Sequence, residues 1–283
     1  MPNDSREGFT CLVTGANTGI GRVTAVELCK LGAKVWLAGR SEERTMPIVR
    51  ALCAEHGEGR AAFLKLDLGS FASVRAAAET FLATGEPLHV LVNNAGVAGH
   101  QGATADGFEM QFGTNHLGHF LLTLLLKERL VKSAPARVVT VASGAHYKAR
   151  GIDFDAVRAP TATVVGLHEY EISKLANVLF SAELARKLEG TNVTAHSLHP
   201  GVVASDVWRR IPWPFRHLAK LFMISNEEGA KTSVYCATAE ALASETGKYY
   251  DECREKTPSR LARDAELARQ LWENSEAWTG TKF

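Results

Sequence analysis

Tyr170-Glu-Ile-Ser-Lys174 sets a phenol four residues ahead of an ammonium, a spacing that brings both onto one face of a helix. A phenol ordinarily titrates near ~10 and is a poor base at neutral pH. A neighbouring cation favours the phenolate, and a drop of about two pKa units requires ~2.7 kcal/mol of differential interaction. In the opposite direction the same phenol gives its proton to an oxygen that is gaining negative charge. The pattern Y-x-x-x-K arises often by chance. Among the five tyrosines of this chain, however, only Tyr170 has a lysine at that spacing, and it stands where a helical pattern begins.

A second constellation lies near the start. The run Thr14-Gly15-Ala16-Asn17-Thr18-Gly19-Ile20-Gly21 follows an apolar segment and opens a helical pattern. Glycines in that place let the chain turn tightly and bring backbone N–H groups against a pyrophosphate at a helix N-terminus. The spacing is G-x-x-x-G-x-G rather than the common G-x-G-x-x-G. By itself it also fits a purely structural tight turn. The next apolar segment ends at Ala38-Gly39-Arg40-Ser41 with no acid, where a carboxylate would hold a free ribose 2′-hydroxyl. Arg40 stands there instead, with Arg22 just past the glycine turn. A guanidinium offers a planar fork of donors to a phosphate, so the residues favour NADP(H) over NAD(H). The competing reading of Arg40 is a solvated arginine at a helix start.

The elements that must position these groups alternate. Phe9–Val13, Ala33–Ala38, Ala61–Leu66, Leu88–Val92, Arg137–Ala142 and Asn192–Leu198 read as strands, some of them nearly continuous in apolar character, as in a parallel sheet covered on both faces. Helical patterns fall near 19–31, 42–56, 70–84, 107–131 and 169–188, with a seventh strand expected around Gly247–Tyr250 and a last helix within 259–274. This order predicts one Rossmann-type doubly wound α/β domain over residues 1–283, with a seven-stranded parallel sheet flanked by helices. Residues 148–168 carry no clear period. Residues 205–226 concentrate Trp208, Ile211, Pro212, Trp213, Pro214, Phe215, Leu221, Phe222 and Met223, which suits a lid over a ligand crevice, with a satellite apolar cluster as the competing reading.

Composition narrows the function classes. Of 283 residues, 46% are hydrophobic and 22% charged, and 32 Lys+Arg against 31 Asp+Glu give a net charge of +1. That balance offers no phosphate-tracking surface, so no nucleic-acid partner is expected. The first residues are polar, and no run approaches the ~20 apolar residues of a transmembrane segment. Five scattered cysteines without C-x-x-C spacing suit reduced packing side chains and a cytoplasmic setting. His116/His119 and His196/His199 have no acid or cysteine at ligand spacing and read as core or loop histidines rather than a metal site. Ser143 and His146 lack the G-x-S-x-G elbow of a hydrolase, and Tyr147, without a lysine partner, reads as a pocket wall.

Taken together, Thr14–Gly21, Leu66-Asp67-Leu68, Asn93-Asn94-Ala95-Gly96, Asn115, Ser143, Tyr170/Lys174 and Pro200-Gly201 resemble the short-chain dehydrogenase/reductase family over essentially the whole chain. Asp106-Gly-Phe-Glu-Met, Asn115-His-Leu-Gly-His-Phe-Leu-Leu-Thr, Ser173-Lys-Leu-Ala-Asn-Val-Leu-Phe and His199-Pro-Gly are similar to its retinol-dehydrogenase-like branch. The resemblance implies a quartet in which Tyr170 is the general acid/base and Ser143 binds the substrate oxygen. Lys174 would hold the nicotinamide ribose, and Asn115 a water that links Lys174 to solvent. It further implies that the Gly15-to-Gly21 turn, including Asn17, Thr18, Gly19 and Ile20, carries the cofactor phosphates. Asp67 (beside Leu68) would contact the adenine, and Asn94, Ala95 and Gly96 would line the cofactor's path. Pro200, Gly201, Val203 and Ser205 would meet the carboxamide, with Ser205 standing where the family more often has Thr. Branch members of animal membranes carry an N-terminal apolar anchor that this sequence does not show, so membrane residence is not carried over. The expected substrate is a small lipophilic aldehyde, ketone or alcohol. A non-catalytic NADP(H)-binding regulator is the alternative. Peripheral membrane contact through 205–226 and homo-oligomer formation stay open.

Overall fold

The computed structural model describes residues 6–201 and 224–283. Its sheet runs β3-β2-β1-β4-β5-β6-β7-β8. The strands are β1 (Thr10–Thr14), β2 (Lys34–Gly39), β3 (Ala61–Lys65), β4 (Val90–Asn93), β5 (Ala136–Val141), β6 (Val193–His199), β7 (Tyr249–Asp251) and β8 (Arg254–Glu255). Pairings from β3 through β7 are parallel, as the apolar runs imply. The sheet has one strand more than the seven expected. After Glu252 and Cys253, both at positive φ, β8 turns back antiparallel on β7. It is two exposed residues with no apolar pattern, which is why no sequence signal announces it.

The side-chain period of two sorts the strand residues onto two layers. Leu12, Leu91, Val138 and Ala195 face the layer of α3 (Phe71–Ala83), α5 (Gly118–Lys132) and α6 (Leu167–Lys187). Cys11, Val13, Val35, Leu37, Val90, Val92, Val139 and Leu198 face that of α1 (Gly19–Lys30), α2 (Glu42–His56) and α7 (Asn226–Thr238). The chain reverses direction across the sheet between β1 and β4, and ligands of such folds bind beyond the strand ends at that switch point.

Three departures from the sequence-based elements have local causes. The helix expected over 107–131 is split into a short α4 (Met110–Phe112), a π turn (Gly113–Leu117) and α5. Gly118 lets α5 start against Leu68, whose carbonyl oxygen would lie 2.4 Å from any Cβ at that position. α7 is added. Its signal is the cap Ser225, whose Oγ accepts from the Glu228 N–H at 3.1 Å, but Gly229, Thr232 and Ser233 dilute its helical propensity. The last helix, α8 (Ala265–Thr279), begins after Asp264 caps it and stops at left-handed Gly280. Trp272 of α8 stacks on Phe180 and meets Phe120 edge-on at 4.9 Å. The aromatic segment 205–226 lies outside the described residues up to 223, as do Val203 and Ser205.

Candidate active site

The glycine run forms the turn between β1 and α1. Gly15 has φ +67°, and a Cβ at Gly21 would lie 2.3 Å from Asn94 Nδ2 and 2.5 Å from the Gly15 carbonyl oxygen, so the turn closes on itself with no room for side chains. Thr18 is the N-cap of α1 without a side-chain cap bond, and α1 has no acid in its first turn. Its leading amides are thus left for an outside acceptor, which fits a pyrophosphate. Asn17 faces Gly39 at the end of β2, and Gly19 and Ile20 open α1. Asn94 Nδ2 donates to the Thr14 carbonyl at 2.7 Å. The Asn94 and Ala95 N–H groups both donate to Thr14 Oγ1 at 2.9 Å, so the Asn94–Gly96 strip is fixed beside the turn.

Arg40 is exposed just past β2, and the Lys65 ammonium donates to its carbonyl oxygen. Lys65 ends β3 in register with Gly39. A further cation therefore stands beside Arg40, one that the sequence reading, which named Arg40 and Arg22, did not include; its signal is a lysine near the end of a strand. Asp67 follows, with Oδ1 accepting from the Gly69 N–H at 3.0 Å. Leu68 is buried in the core.

Asn115 sits fully buried in the π turn, the kind of local widening that recurs at functional sites. Its side chain pairs with Val97 as a peptide would: Oδ1 accepts from the Val97 N–H at 2.8 Å and Nδ2 donates to the Val97 carbonyl at 2.9 Å. Nδ2 also donates to Ser173 Oγ at 3.0 Å, and Ser173 donates to the Tyr170 carbonyl at 2.8 Å. The amide ties β4's continuation to the helix that carries Tyr170 and Lys174. Lys174, buried, donates to the Val141 carbonyl at 2.9 Å, and its Nζ lies 5.6 Å from the centre of the Tyr170 ring. A Cβ at Gly96 would stand 3.4 Å from Asn115 Oδ1 and 3.6 Å from Lys174 Nζ. Two of the four quartet positions, Asn115 and Lys174, thus border one strip of backbone, and Lys174 approaches a third, Tyr170.

Ser143 follows β5 and caps a short 3-10 turn, Gly144–Tyr147, accepting from the Ala145 N–H at 3.1 Å. Neighbouring histidines anchor that turn. His199, closing β6, accepts from the Gly144 N–H at 3.1 Å, and His146 Nδ1 contacts the Ser143 carbonyl at 2.7 Å while its Nε2 accepts from the Ser259 N–H at 3.2 Å. Tyr147 donates to the Thr257 carbonyl at 2.7 Å and leaves its ring half exposed. Pro200 and Gly201 continue from β6, Gly201 at φ +85° beneath Ile224.

Burial raises the Tyr170 phenol above its ordinary range, and only the hydrogen bond to Ser143 opposes it. Burial thus opposes the phenolate that Lys174 together with an oxidised nicotinamide is expected to favour. Burial also brings the Lys174 ammonium down to about 8. Three further histidines are held neutral by burial, His116 near about 3, and His119 and His196 near about 4. An unfolded chain protonates them from pH ~6.5 downward. Their contribution to stability is thus present above ~6.5 and is lost as pH falls toward 4. Each adds up to about 1.4 kcal/mol per pH unit to the slope. Tm measured against pH should fall steeply across that window. His116→Gln, which can still reach Ser275 (the native bond is 2.9 Å), should flatten the fall. An unchanged slope would contradict the assignment.

The family model of short chain dehydrogenases matches residues 10–213. The chain is 44% identical to human Retinol dehydrogenase 11 over 95% of its length and 85% of that protein. It is also 44% identical to the bovine Dehydrogenase/reductase SDR family member 13 over 98% of its length and 74% of that protein. Among solved structures, a Mycobacterium paratuberculosis protein superposes with TM-score 0.80 at 34% identity, covering 99% of this chain and 96% of its own. The Pseudomonas aeruginosa RhlG/NADP active-site complex does so with TM-score 0.72 at 26% identity, covering 95% and 99%. The order of the sheet, the glycine turn at its switch point and the Ser143–Tyr170–Lys174 grouping agree with these likenesses: the chain is an oxidoreductase of the short-chain dehydrogenase/reductase family, in its retinol-dehydrogenase-like branch.

Proposed function

We propose that the chain transfers a hydride between NADP(H) and a lipophilic aldehyde or ketone, or the corresponding alcohol. The observation that carries this is the array of Ser143, Tyr170, Lys174 and Asn115 beside the glycine turn, every member intact. The nicotinamide, when bound, supplies or takes the hydride and in its oxidised form adds a positive charge near the phenol. In reduction, Ser143 Oγ orients the substrate oxygen and Tyr170, kept protonated by burial, donates its proton there. Lys174 holds the ribose and replenishes the phenol. Both Asn115 Nδ2 protons are taken by Val97 and Ser173 and Oδ1 accepts from Val97, so the side chain is engaged in the fold and the main-chain carbonyl serves as the acceptor for a relay water. Arg40 and Lys65 favour a 2′-phosphate. The apolar preference is supported by Val164, Val165 and Leu167, large side chains left exposed just before Tyr170, and by the retinol dehydrogenases among the relatives.

Among the described residues no helix is long and apolar enough to cross a membrane. The test is NADPH consumption with straight-chain aldehydes of increasing length. The expected result is turnover, with kcat/KM rising as chain length grows, since each buried CH₂ is worth about 0.8 kcal/mol. Binding of NADPH with no turnover across the panel would favour the non-catalytic regulator.

A further inference from the structure

His119 lies one helical turn after Asn115, at the start of α5, and is as fully buried as its two partners, Thr14 and Asn115. Its Nδ1 is 2.9 Å from the Asn115 main-chain carbonyl and its Nε2 is 2.9 Å from Thr14 Oγ1. Nothing in the chemistry above gives this imidazole a task. The hydrogen-bond inventory nevertheless fixes its state. A carbonyl oxygen only accepts, so Nδ1 carries the proton. Thr14 Oγ1 already accepts two backbone N–H groups, from Asn94 and Ala95. Both of its lone pairs are then used, and its own proton must point at Nε2; its other acceptor, the Val92 carbonyl, is 3.4 Å away. The neutral Nδ1–H tautomer is the single form that satisfies all five groups, and burial holding His119 down to about 4 is consistent with it.

We propose that His119 is a positioning residue: one edge of its ring fixes the Asn115 carbonyl, the other fixes the Thr14 hydroxyl that gathers Asn94 and Ala95. The glycine-turn cradle and the relay turn are thereby held as one unit. The Asn115 carbonyl has two lone pairs. His119 Nδ1–H fixes how that carbonyl is aimed, and with it the direction from which a relay water would approach. The link to catalysis rests on the proposed relay role of Asn115, whereas the bonding scheme does not.

Two conservative variants separate the two edges. His119→Asn keeps a donor at the Nδ1 position and withdraws from Thr14, whereas His119→Gln keeps an acceptor at the Nε2 position and withdraws from Asn115. His119→Gln should lower kcat roughly 10- to 100-fold, the effect of a misplaced relay, with the NADPH Kd within about threefold of wild type. His119→Asn should weaken NADPH roughly three- to tenfold, the worth of one hydrogen bond, with kcat within about threefold. Kd is read by titration calorimetry and so needs no turnover. If both variants lose kcat, affinity and Tm in parallel, or neither changes, His119 is a packing residue and the proposal fails. Nitrogen NMR of the wild-type imidazole supplies a check that survives variants that do not fold. The Nδ1–H tautomer is expected at neutral pH, and Nε2–H or an imidazolium would overturn the scheme. An inactive wild type showing the expected tautomer and affinity change would instead count against the relay alone.

Discussion

Tyr170→Phe is expected to cut kcat by roughly 10²–10⁴, the usual worth of a positioned acid/base, while the NADPH Kd stays within a few fold. Burial raises the phenol's pKa, with Ser143 as its hydrogen-bonding neighbour, and a phenol held neutral suits the proposed role of proton donor. Phe keeps the ring that Lys174 Nζ approaches at 5.6 Å. The loss should therefore be chemical, with little change in Tm. Turnover near that of wild type would remove Tyr170 from the mechanism.

Ser143→Ala is expected to cost roughly 10²–10³ in kcat, the measured scale for one preorganised donor to a reacting oxygen. The structure adds a second, smaller effect. Ser143 Oγ also caps the Gly144–Tyr147 turn through the Ala145 N–H at 3.1 Å, so about 1 kcal/mol of stability should go with it. Because His146 and His199 still hold the turn through the Ser143 carbonyl and the Gly144 N–H, the fold should persist. A Tm shift with unchanged kcat would make Ser143 a cap and nothing more.

The parts legible in the sequence are those set by short-range rules. β1 to β6 announce themselves because strands covered on both faces are rich in apolar and β-branched residues, and the Tyr170/Lys174 spacing needs only a helix to become a pair. What could not be read depended on contacts distant in the chain. The π turn at Asn115 comes from the Asn115–Val97 pairing and from the close approach of Gly118 to Leu68, neither of which leaves a local pattern. His116 and His119 read as core histidines and are buried, yet no spacing reveals that His119 bridges Asn115 and Thr14. Lys65 became visible only when β3 paired with β2 and brought it alongside Gly39. The burial that opposes ionisation of the phenol is likewise invisible in the spacing, which shows only the ammonium.

Cofactor choice tests the central claim most directly, because the proposed preference rests on charge at one strand end. The measurement is kcat/KM for NADPH and NADH at one fixed ionic strength, in wild type, Arg40→Ala and Gly39→Asp/Arg40→Ala. The double variant is sterically feasible: a Cβ at Gly39 would meet only Asn17 Oδ1 and Thr45 Oγ1, each at 3.9 Å. Wild type should prefer NADPH. Arg40→Ala should cost NADPH about 1.5–3 kcal/mol, the range for hydrogen bonds to charged groups, and leave NADH nearly unchanged. Lys65 should keep a residual preference in that single variant. The double variant should invert the preference, since a carboxylate repels the phosphate and accepts from the free 2′-hydroxyl. A wild type that prefers NADH, or an Arg40→Ala variant that weakens both cofactors equally, would contradict the account.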